Sequence, residues 1–348
     1  MAEAATATPE GIDPAGVEAW FAHHVPEAER PLRFERLAGG RSNLTYAVQD
    51  AGARRWALRR PPLGARLGSA HDMSREWRAI SALADTEVPV PPPVALCEDE
   101  EVIGAPFYVM GFVDGLILRE RELAERSFDE AQRRAVGNRV VDTLVAIHAV
   151  DPDSVGLGDL GRKERYVERQ LRRWHGQWEQ SKTRELPVVD RVHAELSRRI
   201  PEQGPATIVH GDYRLDNMIV ARDGTIAAVV DWELCTLGDP LADVGLLRVY
   251  WAERGDDLIA LQDTATMLPG FPSRDDVLAR YTERSGRDLG EIDFYVALGY
   301  WKLAIILEGV YARYLAGAYG EVDEGVHAFK GIVEALARGA HDAVERLG

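Results

Sequence analysis

The stretch Ile208-Val209-His210-Gly211-Asp212-Tyr213-Arg214-Leu215-Asp216-Asn217 decides how this chain is read. A short apolar run delivers a carboxylate, Asp212, and an amide, Asn217, follows five residues later. Fourteen residues beyond Asn217 stands Asp231, in Val229-Val230-Asp231-Trp232-Glu233. Between them, residues 218–221 and 225–231 read as a strand pair turned by Asp223-Gly224, a dipeptide that tolerates the backbone of a tight hairpin. Such a hairpin carries Asp231 back beside Asn217. A carboxylate and an amide oxygen that converge in this way suit Mg²⁺, a hard cation that takes oxygen ligands.

The surrounding chain changes character on the two sides of Gly115. Residues 1–12 are small, polar and unpatterned, and are expected to be disordered. Asp13-Pro14 opens a helix, since Asp is a good N-cap and Pro fits the first helical position. Strands are predicted over 43–49 and 55–60, within a strand-rich stretch from about 34 to 61, and again over 94–96 and 106–113. A helix over 70–84 separates the two groups, with Met73, Trp77, Ile80 and Leu83 on one face. Beyond Gly115 helical period dominates, over about 129–149, 163–180, 187–199, 240–252, 274–286, 291–318 and 323–346. The expected fold is α+β, with a disordered 1–12, a small antiparallel-sheet lobe over 13–112 and a larger, mainly helical lobe over 113–348.

The Asp-to-Asn spacing of residues 212–217 matches the protein-kinase catalytic loop, H-R-D-L-x-x-x-N. There the Asp meets the acceptor hydroxyl, and the Asn meets a metal on the phosphates. Together with Asp231-Trp232-Glu233 and Leu237-Gly238-Asp239-Pro240-Leu241-Ala242-Asp243, the segment resembles the aminoglycoside phosphotransferase and choline kinase superfamily. Within it, the motifs are most similar to the phosphotransferase domains found beside, or fused to, acyl-CoA dehydrogenases. The similarity runs from about residue 30 to the end. It implies a protein-kinase-like two-lobe fold and transfer of a nucleotide γ-phosphate to a small-molecule hydroxyl. It also implies Asp212 as catalytic base, Asn217 and Asp231 as Mg²⁺ ligands, and His210 and Asp243 as braces of the loop.

The small lobe is then the expected nucleotide site. In Leu37-Ala38-Gly39-Gly40-Arg41-Ser42-Asn43, the residues Gly39, Gly40, Ser42 and Asn43 fit a phosphate-covering turn, where glycine lets backbone approach phosphate closely. Trp56-Ala57-Leu58-Arg59 falls where kinases carry V-A-I-K. Alternation puts Ala57 and Arg59 on one face, and Arg in place of Lys still binds phosphate while holding its charge permanently. Glu76 is the candidate to orient Arg59. Backbone near Met110 and Phe112 is the candidate adenine contact. Neither ATP nor GTP is selected by these residues, and no oligomeric state is indicated.

Candidate acceptor contacts lie in the helical lobe. Tyr166, Gln170, Trp174 and Trp178 form a stripe at spacing of four in a locally basic segment. Trp301 and Glu308 share a later helix face, and a Glu in an apolar helix needs a partner. Glu233 completes the acceptor candidates. Two acceptor classes remain open, a hydroxyacyl-CoA and an aminoglycoside or aminoalcohol, beside a third reading as a nucleotide-binding pseudokinase regulator.

The bulk properties narrow the remaining alternatives. The chain has 348 residues and a formal net charge of −16, which argues against nucleic-acid binding. No basic, apolar leader opens the chain. The longest apolar stretch, 292–315, is interrupted by Asp293, Lys302, Glu308 and Arg313, so no membrane insertion is expected. Cys97 and Cys235 form no metal or disulfide pattern and are expected as thiols in a cytoplasmic protein. The histidines outside the loop, His175 and His193 among them, form no ligand cluster and are expected to be structural or surface residues.

Overall fold

A computed structural model describes residues 9–37, 43–63, 72–256, 264–317 and 324–347, with side chains from residue 326 in the last segment. Gly39, Gly40 and Ser42 of the expected phosphate-covering turn lie outside these described residues. The chain forms two units. The first runs to Gly115 and takes in Ala227–Cys235 as well, and the second comprises Leu116–Ile226 and Thr236 onward.

The first unit is a five-stranded antiparallel sheet with two helices. Its strands are β1 (Arg33–Arg36), β2 (Leu44–Gln49), β3 (Arg55–Arg60), β4 (Pro93–Cys97) and β5 (Phe107–Gly111), in the order β1-β2-β3-β5-β4. Leu44, Tyr46 and Val48 alternate inward along β2, as period-two burial of one sheet face requires. Pairing of Tyr46 with Leu58 sets the β2–β3 register. Helix α1 (Pro14–His24) is capped by Asp13, whose carboxylate accepts the Ala15 N–H at 3.1 Å. It covers the sheet with Trp20 and Phe21, which meet Phe107 and Trp56 edge-on.

The N-terminal expectation changes from Pro9 onward. Ile12 is buried, and the Tyr46 hydroxyl donates to the Glu10 carbonyl at 2.6 Å. Helix α2 (Met73–Leu83) begins where Asp72 caps the Ser74 and Arg75 N–H groups. Its inner face differs from the sequence reading: Glu76 is fully buried while Trp77 is half-exposed. A charged residue takes an apolar position because a cation waits on β3, as described below.

The second unit is mainly helical: α3 (Arg121–Ser127), α4 (Glu130–Ala149), α5 (Tyr166–Ser181), α6 (Pro187–Arg198), α7 (Leu241–Tyr250), α8 (Arg274–Ser285), α9 (Ile292–Leu315) and α10 (Glu324–Glu345). Two short strands, β6 (Thr207–Val209) and β9 (Thr236–Gly238), pair antiparallel. The hairpin strand β7 (Met218–Val220) turns through Asp223-Gly224 into β8 (Ile226–Val229), along which the chain passes into the first unit. Sequence pattern missed α3, which is one short turn-rich piece, and the paired β6 and β9, which are too short to show a period.

Helix α9 is apolar nearly all round because α5, α6, α7 and α10 surround it, as expected of a helix at a core centre. Among the described residues it is the one helix long and apolar enough to cross a membrane, and 72% of its apolar window is buried inside the fold. Its contact with α7 is backbone-close: a Cβ on Gly245 would sit 2.5 Å from the Tyr295 carbonyl carbon.

Candidate active site

Strand β6 delivers His210 to a loop that one carboxylate holds from below. Asp243, buried in the first turn of α7, accepts the His210 N–H at 2.7 Å and the Gly211 N–H at 2.9 Å. Gly211 has φ +84°, a left-handed backbone that a side chain rarely adopts. His210 is itself buried, and its Nδ1 accepts the Asp212 N–H at 3.2 Å. The loop closes through a short 3₁₀ turn, Leu215–Asn217. There Asn217 Nδ2 donates to both the backbone oxygen and the Oδ2 of Asp212, each at 2.9 Å. Both amide hydrogens of Asn217 are thereby committed inward, and its amide oxygen is left to accept or to ligate.

Two residues beside Asp212 escaped the sequence reading. The Tyr250 hydroxyl donates to Asp212 Oδ1 at 2.8 Å. Burial, reinforced by the Asp212 charge, pushes the Tyr250 phenol well above its ordinary range, so it stays a donor. Arg214 lies 4.4 Å over the Tyr250 ring and pairs with Asp216. Lys302 of α9 donates from Nζ to the Gly211 carbonyl at 2.7 Å and stands 5.5 Å over the Trp174 ring. Burial lowers the Lys302 pKa, and the charges of Asp212 and Asp243 oppose that fall. The one available signal was the charge itself, set in an otherwise apolar helix.

Asp243 is also paired with a buried histidine. His148 Nε2 lies 3.4 Å from Asp243 Oδ2, and its Nδ1 meets the Tyr281 hydroxyl at 2.8 Å. Burial holds the His148 pKa down. Burial also opposes ionisation of Asp243, but the His148 hydrogen bond and the Gly211 N–H outweigh it and hold Asp243 below the ordinary carboxylate value. Both groups bind protons less readily folded than unfolded, so both favour the fold at higher pH. Stability is expected to fall as pH drops below the unfolded histidine value of 6.5, and again below the unfolded carboxylate value of 3.8. Unfolding midpoints measured against pH check this. In His148→Gln the first of the two declines should shrink, leaving the part that His193 contributes, and an unchanged decline would rule out His148 as a source.

In the first unit, Arg59 is the centre. Its Nε and Nη2 donate to the two Glu76 oxygens at 2.9 and 3.1 Å, its Nη1 reaches Thr45 Oγ1 at 3.3 Å, and Nη2 also contacts Asp231. Tyr108 donates a further bond to Glu76 at 3.0 Å. Burial disfavours the Arg59 charge, but Glu76 and Asp231 more than restore it. Asp231 has φ +68°, a left-handed backbone that Asp tolerates better than most residues. Glu233 Oε2 accepts from Asn43 Nδ2 at 3.1 Å. Carboxylate oxygens of Glu76, Asp231 and Glu233 lie within 4.8 Å of one another, a hard-oxygen cluster beside a fixed cation.

The remaining expected contacts sort differently. Near the expected adenine backbone, the Gly111 and Phe112 N–H groups are spent on Pro92 and Arg55 carbonyls at 2.7 and 3.3 Å, and the Arg55 guanidinium covers the Phe112 ring. Met110 is buried and pairs with Ala57 and Pro93 in the sheet. Trp301 is fully buried and donates to the Val189 carbonyl at 3.0 Å. Glu308, also fully buried, is saturated by the Thr183 N–H and hydroxyl at 2.8 and 2.7 Å and by Arg184 at 2.8 Å. Both therefore act as internal anchors, not as acceptor contacts. Tyr166 is buried with its ring pressed on Gly238, where a Cβ would come within 2.1 Å. Its edge joins Gln170, Gly211, Asp243 and Lys302 around a small cavity. Trp174, tied to Gln170 at 3.0 Å, completes the surroundings of Lys302.

Known proteins match this arrangement. The model of the phosphotransferase enzyme family covers residues 33–291. Mouse acyl-CoA dehydrogenase family member 10 is 35% identical over 82% of this chain and 27% of its own length. Human acyl-CoA dehydrogenase family member 11 is 32% identical over 94% and 42%. The chain thus spans well under half of these relatives. A Ralstonia eutropha JMP134 protein described by inference as an aminoglycoside phosphotransferase has a solved structure of TM-score 0.81 and 32% identity, covering 96% of this chain and 98% of that one. The GDP complex of aminoglycoside 2′-phosphotransferase-IIIa shares the fold at 15% identity, with TM-score 0.59 over 95% and 99% of the two chains.

Proposed function

We infer that this chain, which belongs to the phosphotransferase enzyme family, moves the γ-phosphate of ATP or GTP onto a hydroxyl of a small molecule. The observation that carries this reading is the held carboxylate of Asp212. One oxygen accepts from Tyr250 and the other from Asn217, which fixes the group while leaving lone pairs for an incoming hydroxyl. Asp212 takes the acceptor proton as the acceptor oxygen bonds to the γ-phosphorus. The bond from that phosphorus to the β–γ bridging oxygen breaks, and the nucleoside diphosphate leaves with the electron pair.

Asn217 and Asp231 would hold Mg²⁺. Both offer the hard oxygen donors that ion requires, and the inward commitment of the Asn217 amide hydrogens presents its oxygen. Bound there, the ion neutralises charge on the phosphates. Arg59, fixed by Glu76, supplies the permanent cation for phosphate oxygens. A nucleotide is supported by the GDP complex named in the aminoglycoside 2′-phosphotransferase structure. The buried thiols Cys97 and Cys235, which are not joined in a disulfide, suit the expected cytoplasmic setting.

For the acceptor, we propose a hydroxyacyl-CoA. The names of the acyl-CoA dehydrogenase relatives support it, as does the basic run Arg162 to Arg173, which begins before α5 and continues along its first half. A phosphorylation screen with hydroxyacyl-CoAs, aminoglycosides and aminoalcohols side by side tests the choice. Turnover confined to an aminoglycoside would replace this acceptor while keeping the reaction. ATP or GTP at about a hundred times its Kd should stabilise the fold by about 2.7 kcal/mol, and only with Mg²⁺ present. A thermal shift that is the same with a chelator would remove the metal from the reading.

A further inference from the structure

We propose that helices α5 and α6 carry a transition-metal site of the kind that takes Zn²⁺, formed by His175, Glu179 and Asp190. His175 and Glu179 are four residues apart on α5 and so share a face. Asp190 comes from the first turn of α6. One ligand atom of each lies within 4.8 Å of the others. Sequence spacing alone showed no histidine cluster, because the connection after α5 separates His175 from Asp190 and only the packing of the two helices unites them.

The His175–Asp190 pair already stands at the spacing of two ligands on one ion. His175 Nε2 is 3.2 Å from Asp190 Oδ1. Two ligands of a tetrahedral Zn²⁺, each ~2.0–2.1 Å from the metal, lie about 3.3 Å apart. A second imidazole stands behind the first: His193, one turn after Asp190, stacks on His175 at 4.0 Å between centroids and 15° between planes. The other neighbour of His193 is Trp301, stacked at 5.6 Å.

Lys182 holds Glu179 at 3.2 Å and Glu185 at 3.4 Å, and an ion would displace it from Glu179. The fourth position falls to water, since His193 stacks on the His175 ring. A donor set of imidazole nitrogen with carboxylate oxygens selects Zn²⁺, Co²⁺ or Ni²⁺ over Mg²⁺, which prefers oxygen alone in an octahedron. The site shares no residue with the Asp212 loop. Occupied, it clamps α5 to α6 across the connection at residues 182–186.

The test uses the full chain stripped with a chelator and titrated with Zn²⁺ by calorimetry and with Co²⁺ by visible absorption. Excess Mg²⁺ is present throughout, so that oxygen-only sites are filled. The expected result is one equivalent of Zn²⁺ and the intense visible bands of low-symmetry Co²⁺. His175→Ala and Asp190→Asn should each weaken binding at least about tenfold, while Asp212→Asn should not change it. The unfolding midpoint of the wild type should rise with Zn²⁺, and that of His175→Ala should not. No saturable equivalent, or equal binding in wild type and His175→Ala, would overturn the proposal and leave only adventitious binding.

Discussion

Asp212→Asn is expected to cut phosphotransfer by about 10²–10⁴-fold, the usual contribution of a positioned general base, while nucleotide affinity stays within a few-fold. The fold should tolerate the change. Asp212 accepts from Tyr250 at one oxygen and from Asn217 at the other. An Asn keeps an acceptor towards Asn217, and its new NH₂ group faces Tyr250, whose oxygen can accept when the phenol turns its hydrogen away. The anchors beneath, from Asp243 to His210 and Gly211, are untouched. What is lost is the ability to take the acceptor proton. Steady-state turnover with calorimetric nucleotide binding on the same preparation separates the two effects. Turnover equal to wild type would remove Asp212 from the base role, and lost folding would show in the calorimetric binding.

The neighbours of Asp212 show what was legible beforehand. The loop from His210 to Asn217 was readable because its partners are close in sequence, and because the backbone turn and the chemistry demand the same spacing. Asp243 was reachable as part of a motif 32 residues on from Gly211. Tyr250 and Lys302 were not, since they join the loop across 38 and 91 residues through the packing of α7 and α9. Periodicity reports which face of a helix is apolar, but not which element lies opposite. The same limit misdirected the acceptor residues. Trp301 and Glu308 stood out in α9 as an aromatic and a charge, yet packing against α6 and the Thr183-Arg184 segment uses both internally. The demand for a partner at Glu308 was sound, and the identity of that partner required the fold. Glu76 was the converse, a helix glutamate expected to orient Arg59, and it is fully buried opposite that residue.

That pair carries the second large expectation. Arg59→Ala should destabilise the first unit by about 3–5 kcal/mol, the usual cost of breaking a buried ion pair from one side. Arg59 is 11% exposed at its side chain and Glu76 1%, so water cannot replace the lost partner. Glu76 would retain the Tyr108 hydroxyl as its remaining bond, and Asp231 would lose its cation. Denaturant unfolding measures the effect, and a loss below about 0.5 kcal/mol, within the range of ordinary surface changes, would show that the pair does not hold the unit. Arg59→Lys gives a finer test, since an ammonium is a point charge without the planar fork. It can face Glu76 or Asp231, but it cannot span both carboxylates and Thr45 as the guanidinium does. Its expected cost is about 1–3 kcal/mol, from charged hydrogen bonds given up. Turnover in this variant then decides what the arginine is for. If Arg59 serves as the phosphate cation, Lys restores the charge and phosphotransfer persists at a reduced rate. If the arginine instead locks Asp231 in a nucleotide-binding regulator, wild type binds nucleotide without transfer to any acceptor, and freeing Asp231 by the lysine raises Mg²⁺–nucleotide affinity without producing turnover. Turnover present in wild type and reduced in the lysine variant marks the enzyme, whereas raised Mg²⁺–nucleotide affinity with no turnover in either protein marks the regulator.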